Sequence, residues 1–151
     1  MSKLITESEL QSKFYYSLCQ RYQMVCPNIF MGMYEMDIFA LRKSGFLDEI
    51  EIKLSVADYK ADFKKRANRF LSKHEAIASG KRCCNYFSFL IPENIESKID
   101  VPDYAGLYVY RPVNGKACIV EMKKAKLLHK NKISDQSIIK VGKKMAYRYW
   151  N

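Results

Sequence analysis

Leu10, Phe14, Leu18 and Tyr22 recur every four residues, a spacing that lays one apolar stripe along a helix. Thr6 is placed to cap that helix, with Glu9 three residues on as in a capping box, and Pro27-Asn28 ends the segment. The period then changes to two: Ile50, Ile52 and Leu54 alternate with Glu49, Glu51 and Lys53, so residues 46–54 read as a strand and 34–42 as its partner. Lys43-Ser44-Gly45 joins them as a three-residue hairpin loop, with Gly45 suited to the left-handed third position. Tyr59, Phe63, Phe70 and Ile77, set among basic residues, predict a helix over 56–80 that Gly80 closes. The run 85–91 is β-rich and stops at Pro92, a short helix is expected at 93–98, and residues 106–110 and 117–122 form a second strand pair. The basic C-terminal stretch is expected to be partly helical and ends in Tyr147-Arg148-Tyr149-Trp150.

The alternation in the second strand puts Glu49, Glu51 and Lys53 on one face. A loop of residues 43–45 pairs Arg42 with Phe46, which sets Asp37 opposite Glu51 and Glu35 opposite Lys53. A loop one residue longer or shorter sets Asp37 against an isoleucine instead. Directly opposed like charges destabilise a sheet, so this arrangement calls for a compensating cation. Mg²⁺ suits it, because it prefers oxygen ligands and typically takes one or two protein carboxylates plus substrate phosphate. Asp37, Glu51 and the backbone carbonyl of Ile52 are the expected metal ligands, and Lys53 is placed to orient water or stabilise developing charge. A carboxylate-x-lysine triplet alone is more often a solvated hairpin face. The opposed Asp37, the preceding helix and the following basic segment favour chemistry here.

Composition narrows the partners. The chain of 151 residues is one domain of ordinary size, with 48% apolar and 13% aromatic residues, which argues against disorder. Net charge is +10, concentrated where residues 121–151 hold nine Lys/Arg and residues 60–82 hold eight. Such an excess points to a polyanion, nucleic acid before membrane. No apolar run reaches the roughly 18 residues of a membrane span. Met1-Ser2-Lys3-Leu4-Ile5-Thr6-Glu7 lacks a signal-peptide core, so a cytoplasmic protein is expected. Five cysteines, none in a CxxC pair, read as small buried hydrophobes.

The order helix–strand–strand–helix–strand, with Asp37 and Glu51-Ile52-Lys53 on the first two strands, resembles the PD-(D/E)xK nuclease superfamily. The stretch from Glu51 through Ser55, Asp58 and Asp62, then Asn85-Tyr86-Phe87, Pro92 and Val101-Pro102-Asp103-Tyr104-Ala105-Gly106, is similar to the MmcB-like DNA-repair proteins and their phage relatives. The resemblance covers roughly residues 30–130, and Met36 stands where the superfamily's name has proline. It implies an α/β, restriction-endonuclease-like single domain: a central mixed sheet flanked by helices, with a further strand pair and a basic tail. Residues 1–130 would form the nuclease-like domain and 131–151 a basic extension packed on or continuous with it. It further implies a Mg²⁺- or Mn²⁺-dependent deoxyribonuclease, an endonuclease, acting in repair or mobile-element DNA in a bacterial or phage-infected host cytoplasm. DNA is its partner, with a homodimer or repair-protein partner also in view, and Asp37, Glu51 and Lys53 are its catalytic positions. Members of this superfamily can lose activity and keep DNA binding, so a non-catalytic DNA-binding or adaptor module is the alternative. An RNA-binding protein using the basic tail is a more remote one.

Other residues fit around this centre. Glu7 lies on the core-facing side of the first helix and is a candidate extra acid for the metal site; as a helix N-terminal charge it also suits the dipole. Lys60, Lys64, Lys73 and His74 are candidate DNA contacts. Ser55 and Asp58 fit the N-cap and first turn of the second helix. Tyr147 and Trp150 either stack on bases or, the favoured reading, pack a terminal helix. Pro102-Asp103 with Glu121-Met122-Lys123 is a second literal motif match. There, a two-residue Asn114-Gly115 turn sets Glu121 against Tyr108, five residues or roughly 17 Å from Asp103, and a wider loop pairing Tyr110 with Ala117 sets it against Gly106, still three residues away, so on either register those carboxylates do not converge.

Overall fold

A computed structural model describes residues 4–151; Met1, Ser2 and Lys3, part of the stretch read for a signal peptide, lie outside the described residues. Thr6 caps α1 (Glu7–Leu18), its hydroxyl accepting the Glu9 N–H at 3.1 Å, and Leu10 and Phe14 are fully buried. The helix stops four residues short of the end of its four-residue pattern. A 3-10 turn (Cys19–Arg21) leads into a strand absent from the sequence reading, β1 (Tyr22–Met31). Tyr22 still packs in the same core as Leu10 and Phe14, presented from the sheet below α1 rather than from its own turn. Pro27 is tolerated inside β1 because, among the described residues, this is an edge strand with β2 as its one neighbour.

β2 (Tyr34–Arg42) and β3 (Leu47–Ile52) form the expected hairpin. Gly45 sits at φ +93°, Arg42 N–H bonds to Phe46 O at 2.8 Å, and the ladder runs Leu41↔Leu47, Ala40↔Asp48, Phe39↔Glu49, Ile38↔Ile50. The odd-length loop therefore sets the register. The next pair, Asp37 and Glu51, lies where the ladder ends. There Asp37 Oδ2, rather than a backbone carbonyl, accepts the Ile52 N–H at 2.8 Å. The expected Glu35–Lys53 pairing does not form: Glu35 faces Phe30 on β1, while Lys53 N–H turns to Leu90 O.

Ser55 caps α2 (Val56–Asp62), and the single helix expected over 56–80 is broken. Residues 63–72 turn away, and the chain resumes as α3 (Lys73–Ala78) under a Ser72 cap. Asn68 is the local cause: its side-chain oxygen accepts the N–H of Phe70 at 2.8 Å and of Leu71 at 3.0 Å, a turn that competes with the helix ladder. β4 (Tyr86–Pro92) pairs parallel with β3, a 3-10 turn follows (Glu93–Lys98), β5 (Ala105–Val113) pairs parallel with β4, and β6 (Lys116–Lys123) closes an antiparallel hairpin at Asn114-Gly115. The result, among the described residues, is one six-stranded mixed sheet, β1 to β6 in sequence order.

The sheet is flanked by helices. Leu10 and Phe14 of α1 meet Ile38, Ala40, Ile50, Ile52, Leu90 and Tyr108 on one face. Tyr59 and Ile77, from α2 and α3, meet Phe87 and Phe89 on the other. There α4 (Asp135–Trp150) also lies, with Val141 buried among Cys26, Ile29, Phe39 and Leu47. Lys144 and Arg148 donate to the backbone carbonyls of Phe30 and Pro27, so side chains of α4 tie down the edge strand β1. No helix among the described residues is long and apolar enough to cross a membrane.

Candidate active site

The candidate site lies on the polar face of β3, where Glu49, Glu51 and the following Lys53 meet three different fates. Glu49 is fully buried and is forked by Arg82, whose Nε lies 3.1 Å from Oε1. The guanidinium also stacks on the Tyr34 ring at 3.4 Å. This pair is structural: Arg82→Ala leaves a carboxylate buried without a counter-charge and is expected to cost about 3–5 kcal/mol in urea denaturation. The double variant Glu49→Leu/Arg82→Met should recover most of that loss.

Glu51, two residues further, sits beside Asp37. Its Oε1 accepts Lys73 Nζ at 3.1 Å and has Lys53 Nζ at 3.5 Å, while its Oε2 is buried without a hydrogen-bond partner among the described residues. Asp37 is half-buried; burial, then the charge on Glu51, push its carboxyl up to about 8, against the hydrogen bond from Ile52 N–H. The charge of Glu7 pushes the same way, which puts that exposed residue at the start of α1 within electrostatic reach of the site. A carboxyl that resists ionisation next to a carboxylate with an unpartnered buried oxygen is an arrangement that a hard, oxygen-preferring divalent cation would relieve. No three His, Cys, Asp or Glu side chains gather into a metal-binding group among the described residues. Two carboxylates are the sparse set Mg²⁺ takes when substrate phosphate and water complete its shell. Ile52, expected to contribute its carbonyl, enters the observed contacts through its N–H.

Lys53 follows β3 and is buried. It faces Asp62 Oδ1 at 3.0 Å, with Asp58 at 4.0 Å. The break between α2 and α3 gives Asp62 its place as the hub: Lys73 Nζ lies 2.7 Å from Oδ1, Lys65 Nζ 3.4 Å, and His74 Nε2 donates to Oδ2 at 2.6 Å. Behind it, His74 Nδ1 is 2.6 Å from the Tyr104 hydroxyl, and the imidazole stacks on Phe63 at 4.1 Å. Burial opposes a charge on Asp62, but the His74 hydrogen bond and the two lysines outweigh it and hold the carboxyl well below its ordinary range. Lys73 and His74, candidate DNA contacts in the sequence, are buried, drawn inward by Asp62 and Glu51. Asp62 and Tyr104 had no role in the sequence reading. One signal for Asp62 was available: an acid as the last residue of a helix opposes the helix dipole and so implies a cationic partner.

Asp37 and Glu51 open into a cleft of about 520 Å³ whose basic lining is Lys65, Arg66, Lys73, Lys81 and Arg82. Lys60 and Lys64 are exposed but do not line it. The second motif match stays apart, since Glu121 pairs with Tyr108 across the β5–β6 ladder and meets Arg21 at 3.6 Å. Tyr147 and Trp150, at 69% and 81% exposure, do not pack.

No family model matches the chain, and no curated protein matches it. Among solved structures, it is similar to the SPO1766 protein of unknown function from Silicibacter pomeroyi, at 16% identity and a TM-score of 0.67, over 99% of this chain and 91% of that one. At that identity the likeness speaks for the fold alone: one α/β domain with a mixed sheet between helices.

Proposed function

We propose that the protein is a Mg²⁺- or Mn²⁺-dependent DNA nuclease with a restriction-endonuclease-like fold, related to the PD-(D/E)xK superfamily. The observation that carries this reading is the adjoining pair Asp37 and Glu51, with the unpartnered Glu51 Oε2, at the floor of a basic cleft. Asp37, Glu51 and the Ile52 carbonyl hold the cation in this reading, and Glu7 adds negative charge nearby. The cation, when bound, supplies positive charge against the phosphate and acidifies water. The chain's own residues do the rest. Lys65, Arg66 and Lys81 hold the phosphate backbone over the carboxylates. Lys53, fixed by Asp62, keeps an ammonium beside Glu51, where it can offset charge building on the phosphate.

Purified protein with Mg²⁺ or Mn²⁺ should cut DNA, and EDTA should stop it. Failure on single-stranded, double-stranded and branched DNA alike would remove this reading. The Lys73–Glu51 ion pair favours a second one, a DNA-binding module whose carboxylate is already neutralised by its own lysine. In that case, binding survives and cleavage is absent at every metal concentration.

The state of Asp37 has a consequence for stability. Its folded pKa of about 8 lies above the unfolded value of about 4, so its contribution is complete below pH ~4 and is lost as pH rises through ~8. Urea midpoints in EDTA should therefore show wild type losing ground to Asp37→Asn between pH 5 and 8, and no further divergence above. Added Mn²⁺ should close the gap at pH 8.

A further inference from the structure

We propose that the outer face of α4 is a platform for single-stranded DNA, continuous with the cleft across the tip of the β1–β2 hairpin. This deepens the nuclease reading and rests on it for the identity of the ligand.

The inner side of α4 is already occupied: Val141 packs in the core, with Ile138 and Met145 beside it, and Lys144 and Arg148 are spent on the β1 carbonyls. Lys140, Lys143, Tyr147 and Trp150 follow at helical spacing on the remaining side, as one solvent-facing stripe. Two large rings there stand 69% and 81% exposed, and Tyr149 meets the Trp150 ring edge-on at 5.0 Å, bracing it rather than covering it. Neither ring contributes to the core, so their apolar faces are left for something else.

The charge says what kind of partner fits. α4 carries Lys140, Lys143, Lys144 and Arg148 against a single acid, Asp135. A polyanion that also offers flat apolar surfaces is a single strand of nucleic acid, whose unpaired bases can stack on aromatic side chains while lysines follow the phosphates. A duplex hides those base faces. Position links this face to the cleft. Phe30, Met31 and Gly32 border a shallow groove with Lys140 and Lys144, while their neighbours Met33, Tyr34 and Glu35 border the cleft that holds Asp37 and Glu51. A strand leaving the carboxylates crosses Met33, which is fully exposed, to reach α4.

Trp150 is the one tryptophan of the chain, so its fluorescence reports this contact directly. In EDTA, oligothymidylate should quench it and heparin should not. Tyr147→Ala/Trp150→Ala should weaken oligothymidylate binding, read by anisotropy of a labelled strand, by roughly tenfold or more. Lys140→Ala/Lys143→Ala should reduce the slope of log K against log salt by about 1.4, roughly 0.7 per phosphate on a single strand. Equal quenching by heparin, unchanged affinity in the aromatic variant, or an α4-dependent dimer in sedimentation would each overturn the proposal, the last by assigning the face to a second copy. The nuclease reading is judged separately, because cleavage can persist with α4 disarmed and oligothymidylate can quench Trp150 in a chain that cuts nothing.

Discussion

Asp37→Asn and Glu51→Gln should each lower DNA cleavage at saturating Mg²⁺ by at least about 10²–10³-fold, the usual loss when a preorganised electrostatic partner of the transition state is removed. DNA affinity in EDTA should change little, because the cleft keeps Lys65, Arg66, Lys81 and Arg82. The two variants should part company in stability. Asp37 is forced against its ordinary ionisation by burial and by Glu51, so its neutral replacement relieves the metal-free fold. Glu51 is a counter-charge of Lys73 and Lys53, so Glu51→Gln leaves two buried ammonium groups sharing Asp62, with only the more distant Asp58 beside Lys53, and should destabilise. An inactive yet more stable Asp37→Asn protein is the signature of a residue kept for function at the expense of the fold. An Asp37→Asn protein that cuts at the wild-type rate would remove Asp37 from the site.

Asp62→Ala should be among the most damaging single changes in the chain to stability, at about 3–5 kcal/mol in urea denaturation, because it strips a fully buried carboxylate from Lys53, Lys73 and His74 together. Asp62→Asn keeps the shape and part of the hydrogen bonding, so it should fold better than Asp62→Ala. It should still cut more slowly than wild type, since Lys53 loses the charge that holds it. The pH profile separates this residue from Asp37. With its folded pKa depressed, the contribution of Asp62 is fully present above the unfolded value of about 4 and fades as pH falls through the folded one. The Asp62→Asn deficit should therefore be flat at neutral pH and shrink only in acid. A deficit that instead grew from pH 5 to 8 would mean the hub has been misassigned.

Local rules were enough wherever a short loop fixed geometry. The three-residue turn at 43–45 fixed the β2–β3 register, and Asn114-Gly115 fixed that of β5–β6, which separated Asp37 and Glu51 from Asp103 and Glu121. Periodicity misled where tertiary contacts took over. Tyr22 extends the stripe of α1 in number yet enters the core from a strand, and Pro27 looked like a stop when it was an edge-strand residue. The break after Asp62 hid in a stretch with helical spacing, because the Asn68 turn and the Ser72 cap are side-chain events that apolar period does not register. Lys73 and His74 looked like surface charge because their partners, Asp62 and Glu51, lie 11 or more residues away and meet them only when α3 folds back.

In the proposed site Asp37 and Glu51 share a divalent cation. Anomalous diffraction at the manganese edge, from crystals soaked in Mn²⁺, would locate that ion. A peak in contact with both carboxylates, lost in Asp37→Asn, is expected. A peak at Glu121 or Asp103, or well-ordered Asp37 and Glu51 carboxylates with no peak between them, would contradict it.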